Sequence, residues 1–283
     1  MGKPILLKLA PTPPAAWIAE PADPMTVLEI AADRARRGVL GAMATVLARR
    51  GSAPATPGQK IYVAADGTCV GTVGGGAVER EVMDALVGML RGANDHRVHT
   101  FKLGAELGMC CGGSVDLLLE PLDAQTPLLI VGAGHVATAL GPLLGRVGFA
   151  VTVVDAREAW AKEGRIEGVR SVVGDYDDVG RDLPKSAAVL VMTHDHALDQ
   201  QAIEWALAKK FAFVGGVGSR AKAQRTRDRL EHKGVPEEDR ARVRMPLGLG
   251  IGARLPQEIA VSIAAEMVAW RREKMRAMSK EGS

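Results

Sequence analysis

The sequence predicts an α/β fold in which an N-terminal mixed α+β domain is followed by a parallel-sheet domain, and three observations carry the prediction. The first is the run LLIVGAGHVATAL, where the apolar segment Leu128 to Val131 opens through glycines into an amphipathic helix. The second is the rhythm beyond it, in which short apolar runs alternate with helical patterns, the mark of strands buried on both faces. The third is upstream, where hairpin signals and one amphipathic helix replace that rhythm. Together with the glycine spacing, the downstream half reads as a Rossmann-like domain.

A length of 283 residues suits about two domains. Hydrophobic residues at 47% and charged residues at 24% are enough for packed cores and argue against extended disorder. The 36 basic and 33 acidic residues nearly cancel, which excludes the strong field of a nucleic-acid binder. Cys69, Cys110 and Cys111 are too few for a disulfide framework, and no run reaches the length of a membrane span. A cytoplasmic setting is the expectation.

Residues 1–24 carry prolines without periodicity and read as an extended arm, unlike a signal peptide. Residues 25–122 form the α+β domain. Asp23 and Pro24 start a helix with Leu28, Ala31 and Ala35 on one face, ended by Gly38. Strands are expected at Leu40 to Leu47, Gln59 to Ala64 and Thr68 to Val73, the last two joined through Asp66-Gly67. A helix with Val78, Val82, Leu86, Met89 and Leu90 on one face follows, closed by Gly92. Strands Arg97 to Leu103 and Ser114 to Glu120 complete the domain, and Pro121 to Pro127 is the expected linker.

Residues 127–255 form the Rossmann-like domain, with strands at Leu128 to Val131, Ala150 to Val154, Ser171 to Val173, Ala187 to Met192 and Phe211 to Val214. Helices are expected at about residues 135–147, 198–209 and 219–233. Residues 256–283 are a C-terminal helix, starting at Pro256 with Ile259, Ile263, Met267 and Trp270 in one stripe, and a charged tail.

Gly132, Gly134 and Ala137 make a G-x-G-x-x-A pattern, and Asp155 stands 23 residues beyond Gly132 at the end of the next strand. Such a turn brings backbone N–H groups and the positive end of a helix to a pyrophosphate. A second turn, GTVGGGAVER, exposes Gly74, Gly75 and Gly76 at a helix start, with Glu79 in the first turn as ligand contact or as partner of the helix dipole. A third, FVGGVGSRAK, offers Ser219 as a cap and Arg220 and Lys222 to an anion. The following Arg225, Arg227, Arg229 and Lys233 read as solvated surface.

In MTHDHALDQ, His194 and His196 lie at the carboxyl end of a strand, where open parallel sheets bind ligands. Proton transfer and metal contact are both open to them, and Asp199 reads as the cap of the next helix. Cys110 and Cys111 in LGMCCGGSVD sit beside glycine N–H groups, which favours a reactive thiol at Cys111, for sulfur transfer or a soft metal, over simple packing.

Six blocks in order, from GSAPATPGQKIYVAADGTCVGTVGGGAVE through LGMCCGG, LIVGAGHVA, MTHDHALDQ and VGGVGSRAK to PLGLGIGARLPQEIAVSIAAE, resemble the XdhC/CoxI family over about Thr26 to Trp270. The resemblance implies an accessory chaperone that binds molybdenum cofactor, holds it during sulfuration by a cysteine desulfurase and delivers it to a xanthine dehydrogenase-type molybdenum hydroxylase, without turnover of its own. It also implies a homodimer. Many relatives read GGGC where Ala77 follows Gly76 here, which moves any thiol role, including contact with molybdenum, to Cys110 or Cys111; Leu255 replaces a frequent Thr. Gly74 to Glu79, Cys111, and the face carrying Gly132, Gly134, His135 and His194 are expected to converge where the domains meet. The competing readings are an NAD(P)-dependent oxidoreductase, with Asp155 on the ribose hydroxyls, and an interaction protein without ligand.

Overall fold

The computed structural model describes residues 18–90, 96–102 and 113–281, with side chains through Lys274. The chain divides into two compact units, one ending at Gln125 and one running Thr126–Lys280. Gly92, Cys110 and Cys111, to which the sequence assigns a helix end and the thiols, lie outside the described residues.

In the first unit, α1 (Pro24–Arg36) starts as its sequence dictates: the Asp23 carboxylate accepts the N–H of Met25 at 2.9 Å and of Thr26 at 3.2 Å. Strands β1 (Gly41–Arg50), β2 (Lys60–Ala64), β3 (Cys69–Gly71), β4 (Arg97–Lys102) and β5 (Ser114–Leu122) form an antiparallel sheet in the order β3-β2-β1-β5-β4, and α2 (Gly76–Leu90) follows β3. Alternation along β1 decides the layers. Ala42, Ala44 and Val46 join Val78, Val82, Leu86 and Met89 of α2 in one core, whereas Met43 joins Val27 and Ala31 of α1 on the other face. The Asp66-Gly67 hairpin forms, with Gly67 at φ 93°. The end of the N-terminal arm is extended, as Glu20 bridges to Val70 and donates its N–H to the Cys69 carbonyl at 3.0 Å.

The second unit comprises β6 (Thr126–Val131), α3 (His135–Arg146), β7 (Phe149–Asp155), α4 (Glu158–Ala161), β8 (Arg170–Val173), α5 (Tyr176–Val179), β9 (Ala188–Val191), α6 (His196–Ala208), β10 (Phe213–Gly216), α7 (Arg220–His232), α8 (Glu237–Arg240), β11 (Val243–Arg244) and α9 (Pro256–Glu281). Its strands are all parallel in the order β8-β7-β6-β9-β10-β11. Numbered by appearance within the unit, this is the doubly wound order 3-2-1-4-5-6, whose direction reverses between β6 and β9. The C-terminal helix is part of this unit's core: Ala260, Ile263 and Met267 are buried with Leu140, Leu144 and Phe149.

Three sequence expectations are corrected. Pro121 and Pro127 belong to strands rather than to a linker. Pro121 lies beyond Leu119, the last partner of β4, and Pro127 precedes Leu128, the first partner of β9, so among the described residues each is flanked on one side only and a missing N–H is tolerated. The fifth strand of the second unit is Phe213–Gly216, not Phe211 to Val214. Phe211 instead fills the space beside Trp205, and Gly215 and Gly216 enter the ladder because Leu247, Ile203 and Met245 occupy the room of a Cβ. Asp199 does not cap α6. That role falls to Asp195, which accepts from Ala197 and Leu198. The short α4, α5, α8 and β11 carry too few residues for a periodic signal. No helix among the described residues is long and apolar enough to cross a membrane.

Candidate functional site

A cavity of about 590 Å³ opens at the point where strand order reverses in the second unit. Its walls come from the loops that follow β6, β9 and β10 and from the first residue of α9. Gly134 and His135 contribute from the first loop, Thr193 and His196 from the second, Gly218, Ser219 and Lys222 from the third. The starts of α3, α6, α7 and α9 therefore face one space; Asp195 caps α6 and Ser219 caps α7, whereas α3 has no side-chain cap, so its first N–H groups favour an anion there.

Each glycine of the Rossmann turn has a separate task. Gly132 holds φ 102°, and a Cβ on it would lie 2.6 Å from the Met192 carbonyl oxygen, so glycine is required for the turn and for the approach of the β9 loop. Gly134 is different. Its φ of −68° suits any residue and a Cβ on it would meet no protein atom within 4 Å. No side chain caps α3 at this position. Neither backbone strain nor packing demands glycine at Gly134, and the open space belongs to the cavity wall.

The floor is fixed by a buried ion pair. Asp199, 2% exposed, accepts the Thr193 N–H at 2.9 Å and hydroxyl at 2.7 Å and pairs with the Lys222 ammonium. Lys222 also donates to the Val217 carbonyl at 3.1 Å, tying the β9 and β10 loops together. Its charge is thus committed to Asp199. The cationic character of the wall rests instead on Arg225 and Arg229, four residues apart on α7, neither of which forms an ion pair among the described residues. Sequence reasoning assigned both to solvated surface. Ala223, Thr226 and Leu230 are the buried stripe of α7, so Lys222, Arg225 and Arg229 fall on one flank and Arg220 and Arg227 on the other. Arg227 donates to the Met245 carbonyl and Lys233 pairs with Glu204.

Of the residues singled out from sequence, Gly134, His135, Ser219 and Lys222 line this cavity, and Gly132, Asp155, His194 and Arg220 do not. Ser219 caps α7 by accepting the Lys222 N–H at 3.2 Å. His194 is exposed, and His196 takes the place expected for it. Among the described residues no third metal ligand joins the two histidines.

Asp155 is drawn into the turn itself. Its carboxylate accepts the Ala133 N–H at 2.9 Å, the Arg157 N–H at 3.0 Å and two guanidinium N–H groups of Arg157 at 2.8 and 2.7 Å. Burial pushes this carboxyl up, but the hydrogen bonds from Arg157 and Ala133 together outweigh it and hold the group at about 2. A folded value below the ordinary 3.8 gives stability that is complete above pH 3.8 and is lost as pH falls towards about 2. The wild-type urea midpoint is expected to drop across that window, and Asp155→Asn is expected to be less stable at neutral pH with a shallower drop. Parallel curves for the two proteins would remove Asp155 from the acid response.

The glycine turn of the first unit closes on its own carboxylate. Gly74, Gly75 and Gly76 have φ of 119°, 75° and 69°. Their neighbourhood was expected to present N–H donors outward. Instead Glu79 accepts the Val73 N–H at 3.2 Å, the Gly75 N–H at 3.3 Å and the Thr72 hydroxyl at 2.6 Å, and the Thr72 hydroxyl oxygen accepts the Gly74 N–H at 3.3 Å. Cys69 is buried, and desolvation followed by the Glu79 charge raises its thiol to about 11, which leaves it an inert packing group.

Comparison with known proteins places these features in a family context. Residues 34–102 match the family model described as XdhC and CoxI family, and residues 128–267 match the XdhC Rossmann domain. Escherichia coli (strain K12) protein YqeB is 33% identical over 236 residues, covering 80% of this chain and 43% of its own length. A probable xanthine dehydrogenase subunit from Bacillus subtilis (strain 168) is 29% identical over 163 residues, covering 56% of this chain and 47% of its own. The chain thus spans about half the length of these two curated relatives. The E. coli (strain K12) molybdenum cofactor insertion chaperone PaoD is 25% identical over 284 aligned residues, covering 88% of this chain and 89% of its own.

Proposed function

The chain belongs to the XdhC and CoxI family, and from that premise we propose that it is a molybdenum cofactor chaperone serving a xanthine dehydrogenase-type molybdenum hydroxylase. The observation that carries this reading is the cavity of the second unit, whose chemistry fits one end of the cargo. Molybdenum cofactor is a pterin bearing a phosphate and a dithiolene-bound metal. Two arginines without ion pairs among the described residues, the uncapped start of α3 and the open space at Gly134 suit the phosphate. A volume of about 590 Å³ lies within the range of pockets for small organic ligands.

In this reading Arg225 and Arg229 neutralise the phosphate, while the N–H groups after Gly134 and the Ser219 loop orient it. The Asp199–Lys222 pair keeps those loops in place. His135 and His196 line the same wall and are available for hydrogen bonds to the pterin. Cys111 is assigned the contact with the metal or its exchanged sulfur on the glycines beside it in the sequence and on the family resemblance. Sulfuration by a cysteine desulfurase and pairing with a second copy rest on the same resemblance, and a cytoplasmic setting rests on it together with the few cysteines. The names of the relatives, an insertion chaperone and a dehydrogenase component, support an accessory role rather than turnover.

The test is anaerobic purification from cells that make the cofactor, followed by oxidation and fluorescence detection of the pterin. Pterin approaching one equivalent per chain is the expected result. A chain that emerges without pterin from such cells, under conditions that preserve the cofactor, would refute the reading.

A further inference from the structure

The strand order of the second unit is that of dinucleotide-binding enzymes, in which the acid ending the second strand receives the ribose hydroxyls of the adenosine half. Asp155 occupies that position, at the end of β7. We propose that Arg157, with Trp160 and Arg165, closes the adenosine side of this unit, so that the cavity accepts a compact phosphate-bearing ligand and rejects NAD(H) and NADP(H). This specificity deepens the cofactor-binding reading and rests on the same cavity.

A carboxylate offers about four lone-pair directions. Asp155 has four donors on it, three of them from Arg157, at 2.7 to 3.0 Å. A ribose diol has to donate its hydroxyls in that same space, and it reaches Asp155 only by displacing a two-pronged, charge-assisted pair from a residue that is 8% exposed. Displacement is opposed a second time. The Arg157 guanidinium lies 5.0 Å from the centre of the Trp160 ring, and Arg165 lies 4.9 Å from the same ring. Arg165 is itself held by the carbonyl oxygens of Ala133 at 3.1 Å and Trp160 at 3.0 Å, so the ring and its two cations are anchored to the glycine turn.

His135 marks the boundary of the closed side. It lines the cavity, and its ring meets Trp160 edge to face at 5.4 Å. A ligand seated over Gly134 therefore meets open space towards β9 and β10 and an occupied aromatic and cationic cluster towards β7. The turn keeps the helix start that binds a phosphate, while the acid that would recognise a nucleoside is spent on the protein's own arginine. The charges agree with this division. The cluster has two guanidiniums and one carboxylate, but Arg157 is paired with Asp155 and Arg165 is held by carbonyls, whereas Arg225 and Arg229 form no ion pair among the described residues.

Titration of the full-length chain with NADH and with NADPH, followed by calorimetry, tests the proposal. Wild type is expected to show no saturable binding of either up to about 1 mM. Arg157→Ala removes both guanidinium donors, frees two of the four directions on Asp155 and is expected to bind NADH at least roughly tenfold more tightly than wild type, the equivalent of one recovered polar contact. Saturable wild-type binding of either nucleotide overturns the proposal, with NADPH assigning the two guanidiniums to its extra phosphate. A folded Arg157→Ala protein with no gain for NADH overturns it as well. Arg157→Gln, which keeps the stem over Trp160, replaces Ala if thermal denaturation shows Ala to be unfolded, with the same expectation of a gain. Pterin content separates this outcome from the broader reading. Wild type that carries pterin and also binds NADH loses only the specificity claim, whereas wild type without pterin loses the chaperone reading whatever the titrations give.

Discussion

Arg225→Ala combined with Arg229→Ala is expected to lower the affinity for the pterin phosphate by roughly a hundredfold, leaving the purified chain almost free of pterin. The double variant loses two charge-assisted hydrogen bonds, each contributing about 1.5 to 3 kcal/mol and not fully additive. Both side chains are exposed on α7 and form no ion pair among the described residues, so the thermal midpoint is expected to stay within about 2 °C of wild type. Lysine at both positions should restore part of the retention, because it keeps the charge but loses the two-pronged geometry. Pterin retained at the wild-type level by the double alanine variant would place the phosphate elsewhere. Retention should also weaken with added salt, since the contact is electrostatic at an open site.

Asp199→Ala is the second large effect, on stability rather than on ligand contact. It leaves the Lys222 ammonium, itself largely buried, without its carboxylate and removes the acceptor that holds both donors of Thr193. Breaking a buried pair from one side costs about 3 to 5 kcal/mol. For a unit of this size the midpoint is expected to fall by on the order of 10 °C. An apolar replacement of both partners, Asp199→Leu with Lys222→Met, is expected to recover at least half of the loss, because no charge is then stranded. Pterin retention should remain impaired in the recovered protein, since the loops after β9 and β10 lose the bonds that fix them. A single variant as stable as wild type would mean that the pair contributes nothing to the floor of the cavity.

Much of the second unit was legible from local pattern. Strand, glycine turn and helix at Leu128 to Arg146 are encoded in consecutive residues, and Pro256 announces α9. What escaped were assignments decided by partners distant in sequence. Two aspartates four residues apart in HDHALD both resemble helix caps, and only Lys222, 23 residues away from Asp199, decides which one is buried. Glycines 215 and 216 resemble a turn until Leu247 and Met245 fill the space above them. The acid at Asp155 matches a ribose-binding signature, yet Arg157 two residues later takes both its oxygens, a rotamer choice that no spacing rule contains.

A usable signal was present for the arginines. The buried stripe Ala223, Thr226 and Leu230 fixes the rotation of α7, and with it the flank that carries Lys222, Arg225 and Arg229. Charge count around the helix suggested solvent, whereas position relative to the stripe indicates the cavity. In the first unit the alternation along β1 and the Asp23-Pro24 start were readable, but the fate of the triple glycine was not. Glu79 satisfies the turn three residues beyond Gly76, and sequence alone left helix dipole and ligand contact equally open.

Handover of the cargo is the most direct measurement of the chaperone reading. The anaerobically purified chain, with its pterin quantified, is mixed with an apo form of a xanthine dehydrogenase-type hydroxylase, and hydroxylase activity is followed with time. Activity is expected to rise in proportion to pterin leaving the chain, while the chain alone turns over nothing and the Arg225→Ala, Arg229→Ala variant delivers almost none. Pterin that stays on the chain in the presence of excess apo-hydroxylase, or activation to the same level without the chain, would contradict it.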